Sequence, residues 1–303
     1  MKRRNFLKTM SAGAITMVAG NASLLTSCGN TKSSRTTEQL PAFGFVGFGG
    51  PWIRENPKES LTRIAEWGYT ELEGGGNFGM SPEEAIPFLK SLGFVQLIGS
   101  QSMANLIGDE SRLKASLERN LNLGQKYVAC YWPWVGETRG KEIDEWKEVA
   151  DNLNRGSAIC KSAGIQLIYH NHDIEFFPVE GQIPFDVLVP LLDPAIGIEL
   201  DVYWITRGGK SAVEYLKKYP GRYPVLHVKD LPADVKCGYK PHVFEELSEK
   251  DFACIGDGIL DFAEIFRTNS ISGAKHFIVE NDRPADPAAC LESSGKYLRE
   301  LRF

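Results

Sequence analysis

The feature that most constrains this 303-residue chain is an alternation that runs from residue 43 to the end. Short apolar runs, rich in β-branched and aromatic side chains, are separated by stretches with an apolar residue every three or four positions. The runs fall at 43–48, 70–73, 95–100, 127–131, 166–170, 196–201, 225–228 and 277–280. Helical patterns fall between and after them at 61–67, 82–92, 111–123, 144–163, 211–219, 262–268 and 287–301, with Leu113, Leu117 and Leu121 showing the spacing most plainly. Uninterrupted apolar strands between helices are what a parallel sheet covered on both faces requires. Eight such rounds in about 260 residues predict one (β/α)8 barrel over 42–303. The competitor, an open doubly wound sheet, lacks its Gly-x-Gly-x-x-Gly phosphate turn after the first run, and Gly74-Gly75-Gly76 is only a loop signal.

The segment ahead of the barrel reads as an address. Lys2, Arg3 and Arg4 precede a weakly apolar stretch, and Arg3-Arg4-Asn5-Phe6-Leu7-Lys8 resembles a twin-arginine export signal. Leu25-Thr26-Ser27-Cys28 resembles a bacterial lipobox, so 1–28 is expected to be a signal peptide and 29–41 a polar linker. The expected location is the bacterial envelope, periplasmic or membrane-anchored, with membrane contact only through a lipid on Cys28. A net charge of −5 offers no basic field for a phosphate backbone, so nucleic acid is not an expected partner. Beyond Cys28 come Cys130, Cys160, Cys237, Cys254 and Cys290, an odd number without C-x-x-C spacing. That argues against a disulfide scaffold or a cysteine zinc site and reads most of them as small buried hydrophobes.

Chemistry-bearing residues collect where the runs end. The second ends Glu71-Leu72-Glu73, the fifth His170-Asn171-His172-Asp173, the sixth Glu199-Leu200-Asp201, the seventh His227-Val228-Lys229-Asp230, and the eighth Glu280-Asn281-Asp282. In strands, residues two apart share a face, so His170 goes with His172, Glu199 with Asp201 and His227 with Lys229. Inward-facing imidazoles and carboxylates on neighbouring strands are costly to bury unless they are paired or hold a cation. Such mixed donors suit Mn, Zn, Co or Fe better than Ca.

Three segments carry a resemblance. Residues 168–176 (Ile-Tyr-His-Asn-His-Asp-Ile-Glu-Phe), 199–204 (Glu-Leu-Asp-Val-Tyr-Trp) and 219–230, ending Leu226-His227-Val228-Lys229-Asp230, resemble the sugar phosphate isomerase/epimerase family. Gly256-Asp257-Gly258-Ile259-Leu260-Asp261-Phe262 is similar to that family's Gly-x-Gly-x-x-Asp-Phe turn. This is the xylose-isomerase-like barrel group, which also includes endonuclease IV, inosose dehydratase and ketose 3-epimerases. The resemblance implies one divalent metal ion (Mn, Zn, Co, Fe or Mg) held by a Glu, Asp, His, Glu set. Asp201, His227 and Glu280 match the last three. At the first position relatives read Glu-Asn-His where this chain reads His170-Asn171-His172, so His170 stands in for the Glu, with His172 as rival and Glu175 as a third option.

The chemistry so implied is proton removal from the carbon next to a sugar carbonyl, with Glu280 as ligand and base at once. Glu73, Glu175 and His172 are the other acid/base candidates, and Lys229 is a candidate for binding substrate oxygen. Trp132, Trp134, Tyr203 and Trp204 could stack on a sugar ring. The long 231–256 connection, with His242 and Phe244, is expected to cover the site. An exported relative would meet unphosphorylated sugars, so the expected function is a metal-dependent isomerase or epimerase on a free sugar or keto-sugar. A 3-keto-glycoside lyase and a non-catalytic sugar-binding lipoprotein are the alternatives.

Overall fold

A computed structural model describes residues 38–47, 50–136 and 140–303. The signal-peptide expectation for 1–28 and most of the linker lie outside the described residues. Eight parallel strands form a closed barrel: β1 Gly44–Val46, β2 Glu71–Glu73, β3 Val95–Ser100, β4 Tyr127–Cys130, β5 Gln166–His170, β6 Gly197–Asp201, β7 Val225–Val228 and β8 His276–Val279. Each strand pairs with its sequence neighbour, and β1 closes on β8 through Gly44 opposite Ile278. The helices wrap the outside, the longest being Ile143–Ala163. At the chain end, Phe303 exchanges backbone hydrogen bonds with Glu38.

The period of two sorts the strands into an inside and an outside. Val46, Leu97, Ile98, Ala129, Ile168, Val225 and Ile278 form a small cluster of their own, while Leu167, Tyr169, Ile198, Leu200, Leu226 and Phe277 join the larger core under the helices. The inside is therefore apolar low in the barrel. One step further along β5 to β8 the inward positions become His170, Asp201, His227 and Glu280. Register aligns them: His170 pairs with Glu199 across β5 and β6, and Asp201 with His227 across β6 and β7.

Two acidic side chains set the loops above the strands. Asp201 Oδ1 accepts the backbone N–H of Trp204 at 2.8 Å and so caps the helix Val202–Arg207. Asp230 is buried and accepts N–H bonds from Leu231, Gly256, Gly258 and Leu260 at 2.8–3.2 Å. The Gly256-to-Phe262 turn is folded around that carboxylate, and a Cβ at residue 258 would sit 2.3 Å from Asp230 Oδ1. The connection after β7 contains two short 3-10 turns, Phe244–Glu246 and Glu249–Asp251, and buries Leu247 and Phe252 against Tyr203 and Trp204.

The cysteine reading needs a correction. Cys254 and Cys290 are disulfide-bonded, joining the end of this connection to the last helix, Pro287–Glu300, while Cys130 and Cys160 are the expected buried thiols. An odd count leaves room for one bridge, and only the folded topology brings these two within 5.3 Å between Cα atoms. The bridge closes 36 residues. Cys290→Ala is expected to lower stability by roughly 2–4 kcal/mol in oxidising buffer, and by far less once both proteins are reduced. Urea unfolding with and without dithiothreitol checks this.

Candidate metal centre

The inward residues converge at the C-terminal mouth, where barrels of this type place their chemistry. His170 Nε2 lies 3.9 Å from Asp201 Oδ2, and His227 Nδ1 lies 3.8 Å from the same oxygen and 3.3 Å from Glu280 Oε2. His170, Asp201 and His227 each offer a donor atom within 4.8 Å of the others; Glu73, Glu199 and His227 form a second such group deeper in the barrel. Asp201 reaches this position because its other oxygen is used by the helix cap. Asn171 stitches the ends of β5 and β6, its Oδ1 accepting the Asp201 N–H at 3.0 Å.

Lys229 lies fully buried beside the imidazoles. Its Nζ is 3.2 Å from Asp201 Oδ2 and 2.8 Å from Asp282 Oδ2, touches Glu280, and lies 5.4 Å from the centre of the Trp204 ring. Its partners are thus Asp201, Glu280 and Asp282 rather than the neighbouring Asp230. Below, Glu73 bridges two groups, its Oε2 2.9 Å from His227 Nε2 and its Oε1 accepting from Tyr131 Oη at 2.5 Å. Glu73 is fully buried and faces His227 from below.

The electrostatics follow from burial and crowding. Burial alone would hold His227 neutral, but the Glu199 and Glu73 carboxylates outweigh it and carry the ring well above its ordinary value. Burial likewise opposes charge on Lys229 and Glu280. Asp201, Asp282 and Glu280 keep the ammonium charged, and Lys229 and His227 hold Glu280 below the usual carboxylate range. Burial pushes Asp282 up to about 6, although Lys229 offsets part of it, and raises Glu199 well above normal with help from Glu73. His170 and His172 are held below the ordinary imidazole value, chiefly by burial.

The remaining site expectations are divided. His172 packs by its ring against His170, Trp132, Trp204 and His242, with centroids 5.0–5.5 Å away. His242 is delivered by the long connection and anchored by Asp173, Nδ1 to Oδ1 at 2.6 Å, with Arg207 on the same carboxylate. That connection therefore packs against the mouth. Tyr203 and Trp204 are wholly buried beneath it and Trp134 packs on Trp146, so of the four aromatic candidates only Trp132 is partly exposed. Glu175 does not join the cluster: its carboxylate accepts from Tyr169 Oη at 2.5 Å and from the His172 N–H at 3.0 Å. Tyr131 enters the site without having been singled out for it in the sequence, whereas Asp282, from the end of the eighth run, and His242, from the long connection expected to cover the site, are brought to it as paired groups. A cavity of about 460 Å³ opens beside Glu280 and Asp282, walled by Trp52, Arg283 and the Cys254–Cys290 bridge.

Residues 61–301 match the family described as xylose isomerase-like TIM barrel. The chain belongs to this family. It is an enzyme of the isomerase, epimerase and lyase kind, which sets aside the non-catalytic reading. An inosose dehydratase of Geobacillus kaustophilus is 29% identical over 233 residues, covering 68% of this chain and 73% of that protein. Other inosose dehydratases it matches are spanned over about half their length. Among solved structures, a sugar phosphate isomerase/epimerase from Parabacteroides distasonis superposes with a TM-score of 0.68 at 24% identity, covering 88% of this chain and 96% of that one. The 3-keto-D-glucoside 4-epimerase YcjR of E. coli gives 0.62 at 18% identity, covering 87% of this chain and 100% of that one.

Glu175 supplies a pH test. Burial pushes its carboxyl up to about 8 from an ordinary 4.5, so the folded chain keeps a proton that the unfolded chain releases. The stability this provides is complete below pH 4.5 and is lost as pH rises through about 8. Glu175→Gln is expected to flatten the decline in unfolding free energy between about pH 5 and 8, measured by urea titrations at stepped pH.

Proposed function

We propose that this chain is a divalent-metal-dependent lyase that removes the proton next to the carbonyl of an unphosphorylated keto-sugar and expels the oxygen substituent on the next carbon. The observation that carries this reading is the convergence of Asp201 Oδ2, His227 Nδ1, His170 Nε2 and Glu280 Oε2, of which the first two are buried without a hydrogen bond, although Lys229 Nζ lies 3.2 Å from the Asp201 oxygen. Buried polar atoms without hydrogen bonds are unfavourable, and two imidazole nitrogens with two carboxylate oxygens are a donor set suited to a borderline divalent ion. His170, Asp201, His227 and Glu280 would hold that ion, which when bound supplies Lewis-acid polarisation of a carbonyl oxygen.

The chain's own groups complete the step. Glu280, on the cavity wall beside Asp282, takes the proton from carbon, and the C–H electron pair becomes the new C=C bond. The leaving oxygen departs with a proton from Lys229 Nζ, which Asp201 and Asp282 hold charged and in place. Trp132 presents a flat face at the same mouth. Epimerisation and isomerisation start from the same proton and differ in where one is returned. Elimination is favoured by the similarity to an inosose dehydratase over two thirds of the chain.

The envelope location inferred from residues 1–28 and the charge of the mouth both favour a substrate without phosphate. A phosphate dianion would approach Glu280 and Asp282, while the buried ammonium beside them is already flanked by three carboxylates.

The test is turnover of 3-keto-glycosides in D2O. Metal-loaded protein should place deuterium next to the carbonyl in recovered substrate and accumulate the unsaturated ketone. Chelator should abolish both, and Asp201→Ala and Lys229→Met should each lower kcat by about 10²–10⁴-fold. Turnover indifferent to chelator and to Asp201→Ala would reject the reading.

A further inference from the structure

The elimination scheme leaves Glu199 without a task. Its side chain is wholly buried one layer beneath Asp201 and beside the Glu73 carboxyl, and neither oxygen makes a fully formed hydrogen bond among the described residues. Two rings face it: His170 Nδ1 lies 3.3 Å from Oε2, and His227 Nε2 lies 3.5 Å from Oε1. The His227 nitrogen already has a closer acceptor in Glu73 at 2.9 Å, which Tyr131 holds from behind. His170 Nδ1 has none and is itself buried and unpartnered. The unfilled donor and the unfilled acceptor are thus next to each other, on residues that β5 and β6 hold in register.

An imidazole that ligates through one nitrogen carries a proton on the other, and the acceptor of that N–H sets the orientation of the ring. His227 already shows the arrangement: Glu73 faces Nε2 and leaves Nδ1 toward Asp201 and Glu280. His170 shows its mirror image, with Glu199 facing Nδ1 and Nε2 left toward Asp201. We propose that Glu199 is the positioning residue of His170, accepting its Nδ1–H so that Nε2 is turned toward the ion held with Asp201, His227 and Glu280. This rests on the metal-site reading above. The competing role, in which Glu199 joins Glu73 and His227 around an ion of its own, uses the same oxygens and predicts a different stoichiometry.

Titration with Co²⁺ alone, followed by calorimetry and by the visible absorption of the bound ion, tests the assignment without any substrate. Glu199→Gln should weaken Co²⁺ binding by about 10–100-fold, with Glu199→Asp intermediate. A carboxylate at position 170 has no second donor to be held, so in a His170→Glu chain the further change Glu199→Gln should alter affinity by less than about threefold. Equal losses in the two backgrounds would overturn the proposal by showing a merely structural role. So would two Co²⁺ ions per chain falling to one in Glu199→Gln. If Glu199→Gln does not fold, the same comparison is made with Glu199→Leu and Glu199→Asp, judged by circular dichroism before titration. A chain that binds no Co²⁺ contradicts the metal reading and this inference together. Normal binding unchanged by Glu199→Gln contradicts only the inference.

Discussion

The register of β5, β6 and β7 is the constraint on which the site depends. With Asp201 opposite His227 and His170 opposite Glu199, four ionisable groups from three strands share one inward face. Because side chains alternate, a one-residue slip of β6 would replace Glu199 and Asp201 inside the barrel by Ile198 and Leu200. The outer face of β6 opposes that slip. Ile198 and Leu200 belong to the core under the helices, and a slip would exchange them for the carboxylates of Glu199 and Asp201 in an apolar layer without partners. The packing of the core and the placement of the charges are therefore one decision.

The polar layer is expensive in isolation. Glu73, Glu199, Asp201 and His227 are all essentially without solvent contact, and Lys229 is buried with them. Stability of such a cluster comes from mutual pairing, and the pairing found is uneven. Lys229 and Glu73 are well supplied with partners, whereas both oxygens of Glu199 lack hydrogen bonds. His170 Nδ1, both oxygens of Glu199, Asp201 Oδ2 and His227 Nδ1 are among the buried atoms that make no hydrogen bond, and together they are a donor set whose chemistry suits a divalent cation.

Much of this was legible in the sequence because it depends on local periodicity. The strand and helix rounds and the inward pairs at the ends of the fifth to seventh runs follow from period-two alternation, whereas the His170, Asp201, His227, Glu280 set rests on the resemblance of those strand ends to the sugar phosphate isomerase/epimerase family. What was not legible depends on closure. Glu73 meets His227 across 154 residues, and only a sheet whose first and last strands pair brings them together. Tyr131 and the Cys254–Cys290 bridge belong to the same class. Trp204 and Tyr203 were read as sugar-stacking faces from their place after a strand, but the long connection uses them as its own core. Glu175 looked available because its neighbours in sequence are site residues; its hydrogen bonds go to Tyr169, whose side chain faces the helices.

The most direct measurement of the central claim is diffraction from crystals of the metal-loaded protein, with anomalous data collected across the edge of the bound ion. One peak per chain is expected, ligated by His170 Nε2, Asp201, His227 Nδ1 and Glu280. A peak centred instead on Glu73 and Glu199, or no peak at the barrel mouth in protein that has taken up metal, would contradict it.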